Sequence, residues 1–333
     1  MRHTTVSSLG ERALIARITA RLVMPPWVAV GPGDDAAVIK PERGAFDVLT
    51  TDAQVDGIHF DLRFVPPDAV GHRALAVNLS DLAAMGAEPR AALVSLMLPD
   101  ELPVGTVDGI LDGLLALAAR YRVALVGGNI TRTTGPLALD VTATGAVRPR
   151  RVLTRGGARP GDEVYVTGTL GSAATGLEVL KSGGDGAGSQ AAVERYLRPD
   201  PRVRLGMLLG RNRAASSCMD LSDGLADAVR QVAEASGVGM TIDAPTLPIA
   251  DDVRAWHRDA GQDVIQRAVA GGDDYELLFT SRPGQGGRLR GVRRQGGQVP
   301  ITRIGVVTKG RDLRLRDESG AREWPRGYEH WGA

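Results

Sequence analysis

The sequence predicts an α/β protein built as two domains, and three observations predict it. Short apolar, β-branched segments alternate with longer helical patterns from residue 9 to residue 147. The turn-rich stretch Arg148-Pro149-Arg150-Arg151, followed by Gly156–Asp162, interrupts that alternation, and strand and helix patterns then resume. At 333 residues the chain is long enough for a hydrophobic core in each half. We therefore expect one domain over 1–148 and a second over 149–333.

Taken in order, Leu9–Leu22 carries apolar residues at helical spacing and stops at Pro25-Pro26. The turn Gly31-Pro32-Gly33-Asp34-Asp35 leads into a strand at Ala36–Lys40, and Phe46–Asp52 is a second strand with polar groups at its end. Asp68–Ala87 is rich in Ala and Leu and apolar round most of its surface, which predicts a buried helix ended by Gly86 and Pro89. A strand at Ala91–Leu98, a helix at Val104–Arg120 and a strand at Val123–Val126 follow; that strand runs into Gly127-Gly128-Asn129. Leu137–Val147 closes the first domain. In the second, strands are expected at Glu163–Thr167, Ser216–Met219, Val238–Asp243, Tyr275–Thr280, Ile301–Val307 and Leu313–Arg316. Helices are expected at Ser172–Leu180, Arg204–Arg211 and Asp223–Ser236, and Ser182–Gly188 reads as a mobile loop.

Composition narrows the function. Lys plus Arg (40) nearly balances Asp plus Glu (39), and the arginines are scattered, so no nucleic-acid partner is expected. A single cysteine, Cys218, fits a reducing cytoplasm and excludes an intramolecular disulfide framework. No signal-peptide pattern and no 18-residue apolar run occurs, so a soluble cytoplasmic protein without membrane contact is expected.

The chemistry lies in carboxylates. Asp81 sits inside an apolar helical run, where a carboxylate must be paired, hydrogen-bonded or metal-bound. Asp34, Asp35, Asp52, Asp220, Asp223, Asp273 and Asp274 stand beside Gly, Ser or Thr, mostly where an apolar segment meets a turn. Singly, such residues are ordinary helix caps and Asx turns. Together they fit Mg²⁺, which takes one or two carboxylates along with phosphate oxygens and water. Glycines and the helix start at Asp223 offer amides to a polyphosphate. Asn78–Ala83 also echoes Asp220–Ala226, and Gly33-Asp34-Asp35 echoes Gly272-Asp273-Asp274, as if both halves supplied acidic loops. There is no Walker loop, kinase-type catalytic loop or zinc-ligand histidine spacing. His59 follows the acidic strand closely enough to reach a ligand.

These residues also carry a resemblance. Gly31–Ala37, Thr50-Thr51-Asp52, Asp56–Phe60, Val77–Pro89, Gly127-Gly128-Asn129, Leu153–Asp162, Asp220–Asp223 and Gly271–Leu277 resemble, in order and over nearly the whole chain, the thiamine-monophosphate kinase family. That family lies in the aminoimidazole-ribotide synthetase-like superfamily. The resemblance implies an N-terminal mixed-sheet domain that dimerises and a C-terminal α/β domain completing the active site. It implies ATP-dependent phosphorylation of thiamine monophosphate to thiamine diphosphate in a homodimer, with several Mg²⁺ ions. By resemblance the metal ligands are Asp35, Thr50, Thr51, Asp52, Asp81, Asn129, Asp220 and Asp223, with Asp52, Asp81 and Asp220 central to catalysis. Gly128, Asn129, Arg155 and Ser222 would contact ATP, and His59, Asp273 and Tyr328 the thiamine phosphate. Asn129 stands where some relatives carry Asp, and Asp273 where some carry Glu.

Other members of the superfamily are the first alternative. Selenophosphate synthetases and hydrogenase maturation factors need a reactive Cys or selenocysteine near one terminus, whereas Cys218 lies beside the Asp220 motif. An aminoimidazole-ribotide synthetase, or a nucleotide-binding regulator without turnover, stays open on chemistry alone. Trp324, Tyr328 and Trp331 form a terminal aromatic cluster that is either a cradle for the thiamine rings or core packing.

Overall fold

The computed structural model describes residues 4–183, 189–318, 320–325 and 327. The chain divides into two units, Met1–Leu82 with Glu88–Val147, and Ala83–Ala87 with Arg148–Ala333.

In the first unit, α1 (Val6–Leu9) and α2 (Glu11–Thr19) replace the single helix expected over Leu9–Leu22, because Gly10 takes φ 84° and breaks the run. A short antiparallel hairpin of β1 (Val28–Val30) and β2 (Val38–Ile39) follows, so the strand expected at Ala36–Lys40 keeps only two residues. The remaining elements are β3 (Phe46–Val55), α3 (Pro67–Ala84), β4 (Glu88–Pro99), α4 (Val104–Tyr121), β5 (Ala124–Thr133) and β6 (Ala138–Val147). The sheet order is β3-β6-β4-β5, with β4 and β5 parallel across the α4 crossover and the other neighbours antiparallel.

α3 is buried as its composition predicts: Val70, Ala74, Leu75, Leu79 and Leu82 have no exposed surface. α3 and α4 touch backbone to backbone, since a Cβ on Gly71 would lie 1.7 Å from the Ile110 carbonyl oxygen. The glycine pair expected to end a strand lies inside β5 instead. The β4–β5 register slips between Ala92↔Leu125 and Leu93↔Gly127, leaving Val126 bulged. A Cβ on Gly128 would lie 1.9 Å from the Val94 carbonyl oxygen, so the strand's own packing requires glycine there.

The second unit comprises β7 (Glu163–Thr167), α5 (Ser172–Ser182), α6 (Gln190–Leu197), α7 (Val203–Asn212), β8 (Ser217–Asp220), α8 (Gly224–Ser236) and β9 (Gly239–Asp243). It continues through α9 (Asp251–Asp259), α10 (Val264–Ala270), β10 (Leu277–Ser281), α11 (Gly286–Gln295), β11 (Ile301–Thr308), β12 (Leu313–Asp317) and β13 (Gly320–Glu323). Its sheet runs β13-β12-β9-β11-β7-β10-β8, parallel only between β9 and β12. Apolar residues of β7, β9 and α8, among them Val164, Val166, Met240, Val229 and Val232, share one core. α6, α9, α10 and α11 have no counterpart in the sequence reading; they are short, and α9 and α11 are strongly polar. The loop expected at Ser182–Gly188 is largely outside the described residues, with Ser182 itself closing α5. Among the described residues, no helix is long and apolar enough to cross a membrane.

Candidate active site

In the first unit, strand alternation sorts the predicted ligands onto two faces. Thr50 faces α3, where its Oγ1 donates a hydrogen bond to Asp81 Oδ2. Asp52 shares that face by the same alternation, and both Asp52 and Asp81 are half-buried. Thr51 projects to the opposite face and donates to Asp140 Oδ1 at 2.8 Å, with Thr142 Oγ1 3.0 Å away. Beyond the strand, the chain turns back at His59, whose backbone N–H donates to the Val55 carbonyl oxygen at 2.9 Å. The Val55 N–H in turn donates to His59 Nδ1 at 3.1 Å, which puts the neutral ring's proton on Nε2.

The face bearing Thr51 opens into a cavity of about 680 Å³. Asp34, Asp35, Gly128, Asn129 and Asp140 line it, so the acidic turn and the glycine pair meet there. The hairpin carrying that turn is held by Trp27, with the Arg90 guanidinium 4.8 Å from its ring centroid and donating to the Lys40 carbonyl oxygen at 2.9 Å. Asp34 and Asp35 are exposed, and the Asp34 carboxylate accepts the Asp35 N–H at 2.9 Å. Asp140 was not among the predicted residues. Its signal was an acidic residue on the same strand face as Thr142 and Thr144, legible only once β6 is paired with β3.

In the second unit, Asp220 ends β8 with 4% of its surface exposed, Ser222 follows, and Asp223 stands at the N-cap of α8. The segment Gly271–Glu276 is laced to this turn: Asp273 N–H donates to the Ser222 carbonyl oxygen at 2.7 Å and Tyr275 N–H to that of Leu221 at 3.0 Å. Leu221 N–H donates back to the Glu276 carbonyl oxygen at 2.9 Å. Asp220, Ser222, Asp223 and Asp273 are therefore brought together. Arg155 is exposed and donates to Gln231 Oε1 at 2.5 Å, and Gln231 in turn donates to Asp227 in the first turn of α8.

Three expectations are revised. Asp274 looks like Asp273 in the sequence, yet it is buried and accepts the backbone N–H groups of Gly171 (2.6 Å) and Ala173 (3.1 Å) at the start of α5. The sequence echo between the two halves is not structural: Asp81 lies inside α3, whereas Asp223 precedes α8. Trp324 packs into the core, donating from Nε1 to the Ala226 carbonyl oxygen at 2.9 Å, so it is no cradle. Tyr328 and Trp331 lie outside the described residues.

Among the described residues, no group of three or more His, Cys, Asp or Glu side chains converges to hold a metal ion. The donor set still fits Mg²⁺ in one respect. Carboxylate and hydroxyl oxygens come in ones and twos, Asp81 with Thr50 and Asp140 with Thr51, and a magnesium ion takes such pairs when phosphate and water complete its octahedron.

The family model described as AIR synthase related protein, N-terminal domain, matches residues 33–147, and the corresponding C-terminal-domain model matches residues 159–318. Over 330 residues the chain is 34% identical to the thiamine-monophosphate kinase of Bacillus subtilis, covering 97% of this chain and all of that protein. This chain belongs to the thiamine-monophosphate kinase family. The structural likeness runs the length of the family fold. The thiamine-monophosphate kinase of Stenotrophomonas maltophilia K279a superposes with a TM-score of 0.83 at 38% identity, over 96% of this chain and 99% of that one. A family structure designated AaThiL, complexed with AMPPCP and TMP, superposes with a TM-score of 0.77 at 32% identity over 98% of both chains.

Proposed function

We propose that this protein transfers the γ-phosphoryl group of ATP directly to thiamine monophosphate, giving thiamine diphosphate, without a phosphoenzyme. The likeness to AaThiL complexed with AMPPCP and TMP carries this reading. In-line phosphoryl transfer needs positioning and charge neutralisation more than covalent chemistry, which suits a site made of aspartates, hydroxyls and backbone amides.

In this reading Asp35, Thr50, Thr51, Asp52, Asp81, Asn129, Asp220 and Asp223 hold several Mg²⁺ ions, with Asp52, Asp81 and Asp220 at the reacting phosphates. Bound magnesium supplies charge neutralisation on the phosphate oxygens. Gly128, Asn129, Arg155 and Ser222 hold ATP, with Arg155 offsetting nucleotide charge. His59, Asp273 and Tyr328 hold thiamine monophosphate; Nε2–H of His59 is a donor suited to a phosphate oxygen. Residues 1–148 carry the nucleotide, most of the metal ligands and the dimerising sheet, and residues 149–333 supply Arg155, Asp220, Ser222, Asp223 and Asp273. The reaction belongs in the cytoplasm, where ATP is available and a buried thiol such as Cys218 stays reduced. A homodimer formed through the first unit's sheet is supported by Leu49 (72% exposed) and Leu93 (41%) on the face that bears Thr51.

The test follows thiamine diphosphate directly from ATP, Mg²⁺ and thiamine monophosphate, for the wild type and Asp81→Asn. Product from the wild type, abolished by chelation and restored by Mg²⁺, supports the reading. Bound ATP with no product, or phosphorylated protein accumulating after a rapid acid quench, overturns it. Sedimentation of the wild type beside Leu49→Glu tests the dimer, which a monomeric wild type would exclude.

A further inference from the structure

We infer that the Tyr275 hydroxyl is a positioning group for substrate selection, holding the Asp273 carboxylate in the orientation that receives thiamine monophosphate. The inference rests on the substrate reading given above for Asp273.

The loop between α10 and β10 has an unusual backbone. Asp273 at φ 68° and Tyr275 at φ 48° both lie in the left-handed region, with Asp274 between them. For a bulky aromatic residue that conformation is an outlier, and glycine or asparagine is the ordinary occupant. Both residues are held there from outside, by the hydrogen bonds from their N–H groups to the Ser222 and Leu221 carbonyl oxygens.

The loop is also clamped on each side of Tyr275. Asp274 sits on the first amides of α5. Glu276 is wholly buried and accepts Arg202 Nε at 2.6 Å, Arg202 Nη2 at 2.5 Å, Arg195 Nη2 at 2.6 Å and Thr167 Oγ1 at 2.6 Å. Arg195 Nη2 also donates to the Asp274 carbonyl oxygen at 2.9 Å. With its flanks fixed this way, Tyr275 reaches back and its Oη donates to Asp273 Oδ1 at 3.0 Å. Tyr275 is 6% exposed while Asp273 is only half-buried. The buried phenol thus fixes the half-buried carboxylate, and a charge-assisted bond of this kind sets the orientation of its acceptor strongly. The left-handed backbone, held by those N–H bonds, places the ring so that its hydroxyl meets Asp273.

Steady-state kinetics on the full-length protein tests this, varying thiamine monophosphate and ATP separately for the wild type, Tyr275→Phe, Asp273→Asn, the double variant and Tyr275→Gly. Tyr275→Phe keeps the ring, so melting temperature should hold. KM for thiamine monophosphate should rise about tenfold, with kcat and KM for ATP unchanged. On the Asp273→Asn background Tyr275→Phe should add little, because the amide oxygen still accepts the hydroxyl but the charge that the hydroxyl orients is gone. Tyr275→Gly relieves the backbone yet should show at least the same rise in KM. An unchanged KM in Tyr275→Phe, with Asp273→Asn impaired, overturns the positioning role alone, as do effects that multiply in the double variant. If Asp273→Asn leaves KM for thiamine monophosphate unchanged, the substrate reading of Asp273 falls, and the inference with it.

Discussion

Thr50 Oγ1 donates to the carboxylate of Asp81, tying the middle of β3 to the last turns of α3. The bond sets the rotamer of a half-buried carboxylate on a largely apolar helix. With Asp81 holding magnesium at the phosphates, as proposed, Asp81→Asn should lower kcat by about a hundredfold or more, because an anionic metal ligand is lost where the metal must neutralise phosphate charge. Thr50→Val keeps the Asp81 charge but removes the orienting bond together with one neutral oxygen of the proposed magnesium site, and should cost less, about tenfold. Thiamine diphosphate formation under saturating substrates measures both, and equal losses in the two variants would refute the orienting role.

Gly71→Ala should destabilise without touching the site. The added Cβ would meet the Ile110 carbonyl oxygen at 1.7 Å, so α3 and α4 must separate. Overpacking of this kind costs about 1–3 kcal/mol, read as a lower urea midpoint at unchanged slope. A midpoint equal to that of the wild type would show that the helices part freely.

Glu276→Gln should be among the most destabilising substitutions in the second unit. It leaves Arg202 (9% exposed) and Arg195 (20%) facing a neutral group in the interior. Breaking one side of a buried ion pair costs about 3–5 kcal/mol. The surface pair Arg198–Glu194, at 3.0 Å with 34% and 59% exposure, is the control: Glu194→Gln should change stability by about 1 kcal/mol or less. Urea denaturation of both variants separates the cases.

Burial holds the Asp274 carboxyl up at about 7, against the opposing pull of the Gly171 and Ala173 amides. The folded chain therefore keeps a proton that the unfolded chain gives up near its ordinary value of 3.8. The stability this group contributes is complete below that value and is lost as pH rises towards about 7. The melting temperature of the wild type, relative to Asp274→Asn, should accordingly fall over that window. A difference that stays flat or grows with pH would contradict the assignment.

Much of the fold was legible. The apolar run around Asp81 marked a buried helix, and short apolar, β-branched stretches marked β3, β4, β6 and most strands of the second sheet, because buried segments must be apolar whatever their partners. Where local signals misled, a particular contact overrode them. Gly10 broke a helix that the apolar spacing continued. Gly127 and Gly128 stayed in a strand, after a bulge at Val126, and the Val94 carbonyl oxygen lies too near Gly128 for any side chain there. α9 and α11 escaped notice because their polar faces outweigh a narrow apolar stripe.

The sequence by itself determined the chemical inventory: an aspartate in the α3 run, an Asp-Leu-Ser-Asp turn opening α8, hydroxyls beside acids, and enough ordered motifs to place the chain in its family. Which acids do what was decided only by tertiary structure. Asp273 and Asp274 are neighbours with the same side chain, yet one lies half-exposed under the Tyr275 hydroxyl and the other is buried on the first amides of α5. Thr50 and Thr51 likewise turn to opposite faces of one strand. Partners more than thirty residues away make that choice, Asp81 for Thr50 and Gly171 for Asp274, and hydrogen bonds over such separations leave no local pattern to read.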